Sequence, residues 1–222
     1  MIDITCSALL FDLDGVLIDS TRAVNRVWKQ WALEHGLNPH KVIQHAHGRP
    51  SIDTVREFLP GVDAERENRK VEAQEIRDVA DIVAFEGAQE LLGSLPADRW
   101  TIATSGTRPL AEARLRAAGL VIPARMITAS DITKGKPNPE PYQNAAALLG
   151  FNTEDCVVIE DVVAGVRAGK AAGARVIAVR TTASDADLCA AGATWIVDGC
   201  KAISVAGKAQ NHLLLRLTID RN

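Results

Sequence analysis

The chain has 222 residues, of which 47% are hydrophobic and 24% charged, and its 25 basic and 28 acidic side chains give a formal charge of −3. That balance lacks the basic excess that would hold nucleic acid, and no acidic tail is present. The size suits one large domain, or one domain carrying a small insertion.

The first residues show no basic-then-apolar leader, and no apolar run approaches the roughly 20 residues of a membrane helix, so the expectation is a soluble, cytoplasmic chain with no membrane partner. The first strand-like run is Ala8–Phe11, within "ALLFDLDGVLID", and it ends abruptly on Asp12 and Asp14. From about Ile18 to Ala84 the pattern is helical throughout, in "STRAVNRVWKQWALEHG", "SIDTVREFL" and the charged "ERENRKVEAQEIRDVADIV". Trp28 and Trp31 on the first of these helices are expected in its core. Beyond Phe85 short apolar runs return at Trp100–Ala103, Met126–Ala129, Val157–Ile159, Arg175–Val179 and Trp195–Val197. They are continuous rather than alternating, as strands buried on both faces are. Helical segments separate them. "PLAEARLRAAG" (109–119) and "EPYQNAAALLG" (140–150) each carry proline near the start and close on glycine. The C-terminal "HLLLRLTID" (212–220) reads as an added strand.

Strands alternating with helices predict an α/β fold, a Rossmann-like doubly wound parallel sheet. The helical interval predicts a small all-α insertion over 18–84, with the core formed by 1–17 and 85–222. Cys6, Cys156, Cys189 and Cys200 have no metal-binding spacing and are expected to be reduced core residues.

In such a sheet the carboxyl ends of the strands face one crevice, where ligands bind. Polar clusters follow four successive strand-like runs: Asp12 and Asp14; Thr104, Ser105, Gly106 and Thr107; Lys136; and Glu160 with Asp161. Each has an ordinary reading, a capped Asp-Gly turn for the first and a helix cap for the second. Together they suit phosphoryl transfer. Converging carboxylates call for a hard, oxygen-loving cation such as Mg²⁺, and a lysine, a hydroxyl and backbone N–H groups can hold phosphate oxygens opposite it. One aspartate could attack phosphorus and the other protonate the leaving alcohol.

The arrangement resembles the haloacid dehalogenase superfamily. "FDLDGVLID" is similar to its first motif, DxDGxxxD, "TIATSGT" to its second, Lys136 in "KGKPNPEPY" to its third, and "VVIEDVVAGVRAG" to its fourth. The resemblance implies Asp12 as nucleophile and Mg²⁺ ligand, and Asp14 as general acid/base with its carbonyl on the metal. It implies Ser105 and the Gly106 N–H as phosphate ligands and Lys136 as the neutralising cation. Asp161 and Glu160 complete the metal site, with Glu160 either a direct ligand or one step removed. Asp19 is expected to organise the entrance to the insertion.

Substrate choice is then expected from the insertion. "IQHAHGRPSID" (43–53) gathers His45, His47, Arg49 and Asp53 around a glycine, and is read as a lid bringing Arg49 and His47 to substrate hydroxyls. "HAHGRPSIDTVREFLP" with "GKPNPEPY" resembles the branch of 2-deoxyglucose-6-phosphate, glycerol-phosphate and hexitol-phosphate phosphatases. The related β-phosphoglucomutases carry histidine twelve positions after the nucleophile, where this chain has Val24. The expected activity is a Mg²⁺-dependent phosphatase of a small sugar or polyol phosphate, in a monomer or weak homo-oligomer. A sugar phosphomutase and a non-catalytic phospho-ligand binding module are the alternatives.

Overall fold

In the computed structural model, which describes residues 1–209 and 212–219, the chain opens with β1 (Ile2–Cys6) and, after Ser7, β2 (Ala8–Phe11). A two-residue strand β3 (Ile18–Asp19) leads into α1 (Thr21–Glu34), α2 (Pro39–Ala46), α3 (Ser51–Phe58) and α4 (Ala64–Arg77), and β4 (Val83–Ala84) leads out. There follow α5 (Ala88–Ser94), β5 (Trp100–Ile102), α6 (Arg108–Ala117), α7 (Glu140–Leu149), β6 (Cys156–Glu160), α8 (Val163–Ala171), β7 (Arg175–Val179), α9 (Asp185–Ala191), β8 (Trp195–Val197), β9 (Ile203–Ala209) and β10 (His212–Leu217).

The central sheet has the order β5-β2-β6-β7-β8 and is parallel throughout. β2 lies inside it, every residue buried, because Leu9 and Phe11 pack into the core on one face and Ala8 and Leu10 into the core on the other. Leu91, Leu92 and Leu115 from α5 and α6 cover the first face, and Tyr142 and Val166 from α7 and α8 cover the second. This is the doubly wound α/β architecture, and it places the ends of β2 and β6 side by side.

The inserted helices have an apolar cluster of their own, built from Val24, Val27, Trp28, Trp31, Val42, Val55 and Val71 among others. Trp28 and Trp31 are both buried and meet edge to face, with ring centroids 5.3 Å apart. Asn38 caps α2, its side chain accepting from the N–H groups of His40 and Lys41, and Pro39 begins it.

Several expectations are corrected. The interval from Ile18 to Ala84 is not free of strands, since β3 and β4 pair antiparallel at its two ends; two-residue strands leave no periodicity to detect. The sheet proper resumes at Trp100 rather than Phe85, after α5. Met126–Ala129 is not a sheet strand. Only Ile127 bridges, to Ala103, because Thr128 and Asp131 form a capping box that turns the chain into a 3-10 turn at Ala129–Asp131. Within residues 43–53, His45 lies in the last turn of α2, His47 ends that helix, and α3 begins at Ser51. Cys189 is exposed on α9, whereas the other three cysteines are buried, and all four are free.

The C-terminal strand exists as β10, but it does not extend the parallel sheet. It pairs antiparallel with both β1 and β9 in a separate three-stranded sheet, burying Leu213, Leu215 and Leu217 in the core. Asp220, the last residue of the expected strand, and positions 210–211 and 220–222 of the expected core lie outside the described residues. Among the described residues no helix is long and apolar enough to cross a membrane.

Candidate active site

Asp12 continues directly from β2, and its N–H donates to the Ile159 carbonyl of β6 at 3.0 Å, which fixes the backbone as it leaves the sheet. Two strands' worth of apolar burial thus delivers one carboxylate to the crevice, 6% exposed. From the loop before α7, Lys136 reaches in, its Nζ 2.6 Å from Asp12 Oδ1 and 2.6 Å from Glu160 Oε1. Glu160 ends β6 and is wholly buried. Its Oε1 also accepts from Tyr142 Oη at 2.7 Å, and its Oε2 accepts from the N–H groups of Asp161 and Val162. Three donors besides Lys136 therefore hold Glu160 against Lys136, and Glu160 in turn holds Lys136 against Asp12.

Asp12, Glu160 and Asp161 converge with one oxygen from each lying within 4.8 Å of the others, all buried. Burial pushes the Asp12 carboxyl up to about 7, with the Lys136 charge opposing and the Glu160 and Asp14 charges adding. Burial, together with the Glu160 and Asp12 charges, likewise holds Asp161 well above the usual carboxylate range. For Lys136, burial opposes the ammonium form, but the Asp12 and Glu160 carboxylates outweigh it and raise its pKa. One ammonium facing three carboxylates leaves an anionic excess in the interior. Asp161 Oδ1 is buried without a hydrogen-bond partner among the described residues. An all-oxygen donor set, under-neutralised and with an orphaned carboxylate oxygen, fits a hard divalent cation.

Two glycines make room for this set. Gly15 has φ +82°, and a Cβ there would sit 2.0 Å from Asp161 Oδ2; a Cβ on Gly165, in the first turns of α8, would sit 1.8 Å from Glu160 Oε1. Neither position admits a side chain with the carboxylates where they are.

Asp14 lines the same cleft, but its carboxylate is not in the cluster. Ser20 Oγ donates to its Oδ1 at 2.5 Å and Arg114 Nη1 to the same oxygen at 2.9 Å. Thr104, Ser105 and Gly106 form the opposite wall at the end of β5. The Gly106 N–H donates to Thr104 Oγ1 at 3.1 Å, and Ser105 Oγ approaches the Gly48 carbonyl at 3.4 Å. From the insertion, His47 and Arg49 border the cleft. His47 Nε2 lies 2.9 Å from Asn25 Oδ1, and Arg49 is paired with Glu57 at 2.8 Å. Val24 and Trp28 add an apolar wall, so Trp28 serves both the helical core and the cleft. The cleft is open to solvent.

Asp12, Asp14, Ser105, Gly106, Asp161, His47 and Arg49 thus meet around one cleft, and Lys136 and Glu160 join it through Asp12, whereas His45 and Asp53 pair with Glu57 and Arg56 on α3 and Asp19 accepts from the Thr21 N–H at the start of α1. Tyr142, Ser20, Glu75 and Arg114 were not singled out. Tyr142 stands in "KPNPEPY" without any polar pattern to mark it. Arg114 left one signal: it interrupts the buried stripe of Leu110, Ala111 and Leu115 on α6 and is itself buried.

The model of the haloacid dehalogenase-like hydrolase family matches residues 6–173, a span that holds every one of these groups. The chain belongs to this family. Hydrolases of the family are generally metal-dependent, in keeping with the buried acidic cluster. The chain is 43% identical over 183 residues to hexitol phosphatase A of Escherichia coli K12, covering 80% of this chain and 85% of that protein. It is 35% identical over 213 residues to glycerol-1-phosphate phosphohydrolase 2 of Saccharomyces cerevisiae, covering 90% and 85%. Among solved structures, a hydrolase from Pseudomonas syringae superposes with a TM-score of 0.78 at 27% identity, covering 87% of this chain and 94% of that one.

Proposed function

We propose that this hydrolase is a Mg²⁺-dependent phosphatase of a small sugar or polyol phosphate, acting through an aspartyl phosphate on Asp12. The observation that carries the reading is the buried Asp12 carboxylate at the end of β2, held by Lys136 beside an anionic cluster. Similarity to hexitol and glycerol-1-phosphate phosphatases supports the substrate class.

Asp12 attacks phosphorus; the Asp12 O–P bond forms as the bond to the substrate oxygen breaks, and Asp14 gives that oxygen a proton. Water then attacks the aspartyl phosphate while Asp14 takes its proton, releasing phosphate and restoring Asp12. Lys136 holds the nucleophile in place and offsets charge on the phosphate. Ser105 Oγ and the Gly106 N–H turn from their internal partners to the phosphate oxygens. Asp12, Asp161 and the Asp14 carbonyl would hold Mg²⁺, with Glu160 completing the set and anchoring Lys136. The ion would supply the positive charge that lets a carboxylate approach a phosphate dianion.

Segment 18–84 acts as the specificity element on the core 1–17 and 85–222. Arg49 and His47 meet the substrate's hydroxyls, while Val24 puts an apolar group on the cleft wall twelve positions after Asp12. A valine there offers no group to bind or deprotonate a second hydroxyl, which supports hydrolysis over return of the phosphate. Free cysteines support a reducing, cytoplasmic setting.

The test is phosphate release with Mg²⁺ from glycerol 1-phosphate, mannitol 1-phosphate, 2-deoxyglucose 6-phosphate and nucleotide monophosphates, beside Asp12→Asn and EDTA controls. Release by the wild type alone, highest on the sugar and polyol esters, is expected. Isomerised product without release would replace the phosphatase with a mutase, and saturable binding without turnover would replace it with a binding module.

A further inference from the structure

Arg114 is buried on α6, 6% exposed, yet its guanidinium joins two carboxylates from separate parts of the chain. Nη1 donates to Asp14 Oδ1 at 2.9 Å and Nη2 donates to Glu75 Oε1 at 3.1 Å. Asp14 follows β2, whereas Glu75 is buried on α4 of the insertion. Arg114 Nε has no hydrogen-bond partner among the described residues, and the two carboxylates orient the group. A planar guanidinium can hold two such directions at once, which a lysine ammonium on a flexible stem does not. Apolar residues of similar size would commonly stabilise such a site as well or better. Stability alone therefore does not account for these charged groups beside the cleft.

The pattern on Asp14 supplies another role. Both of its donors, Ser20 Oγ and Arg114 Nη1, fall on Oδ1. With that oxygen occupied by donors, the carboxyl cannot swing freely, and a proton carried by Asp14 resides on Oδ2.

We propose that Arg114 is a positioning residue that, with Ser20, fixes Asp14 through Oδ1 so that the proton is delivered from Oδ2, and that its bond to Glu75 ties this arrangement to the seating of α4 on the core. This rests on the reading of Asp14 as the acid. In the step concerned, the Asp14 Oδ2–H bond breaks and an O–H bond forms on the leaving oxygen, as that oxygen's bond to phosphorus is replaced by the bond from Asp12.

The test compares kcat/KM for glycerol 1-phosphate, whose alkoxide needs a proton, with that for p-nitrophenyl phosphate, whose phenolate leaves without one. Asp14→Asn lowers the ratio of the two if Asp14 is the acid; an unchanged ratio removes the acid assignment and this inference with it. With the ratio lowered in Asp14→Asn, Arg114→Met should lower it in the same direction through kcat, by on the order of tenfold to 100-fold. Arg114→Lys should recover part of that. Because Arg114→Met leaves Glu75 buried and unpaired, the double variant Arg114→Met/Glu75→Gln is measured beside it, and the same lowered ratio is expected. If the folded Arg114 variants lose both substrates equally, or change KM alone, Arg114 is a structural or binding residue and the inference fails while the phosphatase reading stands.

Discussion

Lys136 Nζ lies 2.6 Å from Asp12 Oδ1, although the two residues are 124 positions apart in the chain. Among the described residues Lys136 is also the one cation touching Glu160, so its removal leaves three converging carboxylates uncompensated. Breaking a buried ion pair from one side is destabilising by about 3–5 kcal/mol. Lys136→Met should therefore unfold at markedly lower urea than the wild type in EDTA, with Mg²⁺ recovering part of the difference by supplying positive charge. Urea titrations with and without Mg²⁺ decide this; a variant as stable as the wild type in EDTA would mean that Lys136 does not neutralise the cluster.

Asp161 separates the metal role from the lysine role, because its Oδ1 has no hydrogen-bond partner among the described residues. Replacing one carboxylate oxygen by an amide weakens a hard-cation site without opening a cavity. Wild-type protein should gain about 2.7 kcal/mol of stability at a Mg²⁺ concentration 100 times its Kd. Asp161→Asn should lose most of that gain at the same concentration while remaining folded. Calorimetric Mg²⁺ titration of both proteins provides the check, and equal affinities would remove Asp161 from the ligand set.

Much of the catalytic part of the site that was legible in the sequence shares one property, a polar group where an apolar run stops, whereas Lys136 was marked by its motif "KGKPNPEPY". Asp12, Ser105 and Glu160 stand out because β2, β5 and β6 are buried on both faces, so their ends are sharp. Arg114 and Glu75 were not legible, since each sits within an ordinary helical pattern and acquires meaning only where α4 meets α6. In the fold, β1 was missed because its burial alternates and its partner is β10, at the far end of the chain. Met126–Ala129 misled for the opposite reason. Its hydrophobicity is that of a strand, but Thr128 and Asp131 end the pairing after a single bridge.

Glu67 on α4 gives the insertion a pH dependence of its own. It accepts from Lys70 Nζ at 2.7 Å and Trp31 Nε1 at 3.2 Å, and lies 2.9 Å from His35 Nε2. The Lys70 contact first, then His35 and Trp31, hold its carboxyl below the usual 4.5, against the effect of burial. A carboxyl lowered on folding contributes stability that is fully present above the unfolded value and is lost as the pH falls through the folded one. Wild-type stability should therefore fall more steeply than that of Glu67→Gln below about pH 4.5. Parallel slopes in urea titrations across that range would show that Glu67 is not linked to folding.

Two helical glycines should respond to alanine in opposite directions. In a helix interior alanine is favoured over glycine by about 1 kcal/mol. At Gly93 on α5 a new Cβ meets nothing within 4 Å, so Gly93→Ala should be neutral to stabilising, up to about that amount. At Gly165 the same methyl would lie 1.8 Å from Glu160 Oε1 and 1.9 Å from its carboxyl carbon. Glu160 cannot yield cheaply, because Lys136, Tyr142 and two backbone N–H groups all hold it. The clash must outweigh the propensity gain, and whatever relieves it moves the anchor of Lys136. Gly165→Ala should therefore lower both stability and phosphatase kcat, with Gly93→Ala retaining wild-type kcat. Thermal unfolding and phosphate release on the pair test this together. A Gly165→Ala protein that is stabilised and fully active would mean that Glu160 does not need to stand where it does to hold Lys136 against Asp12.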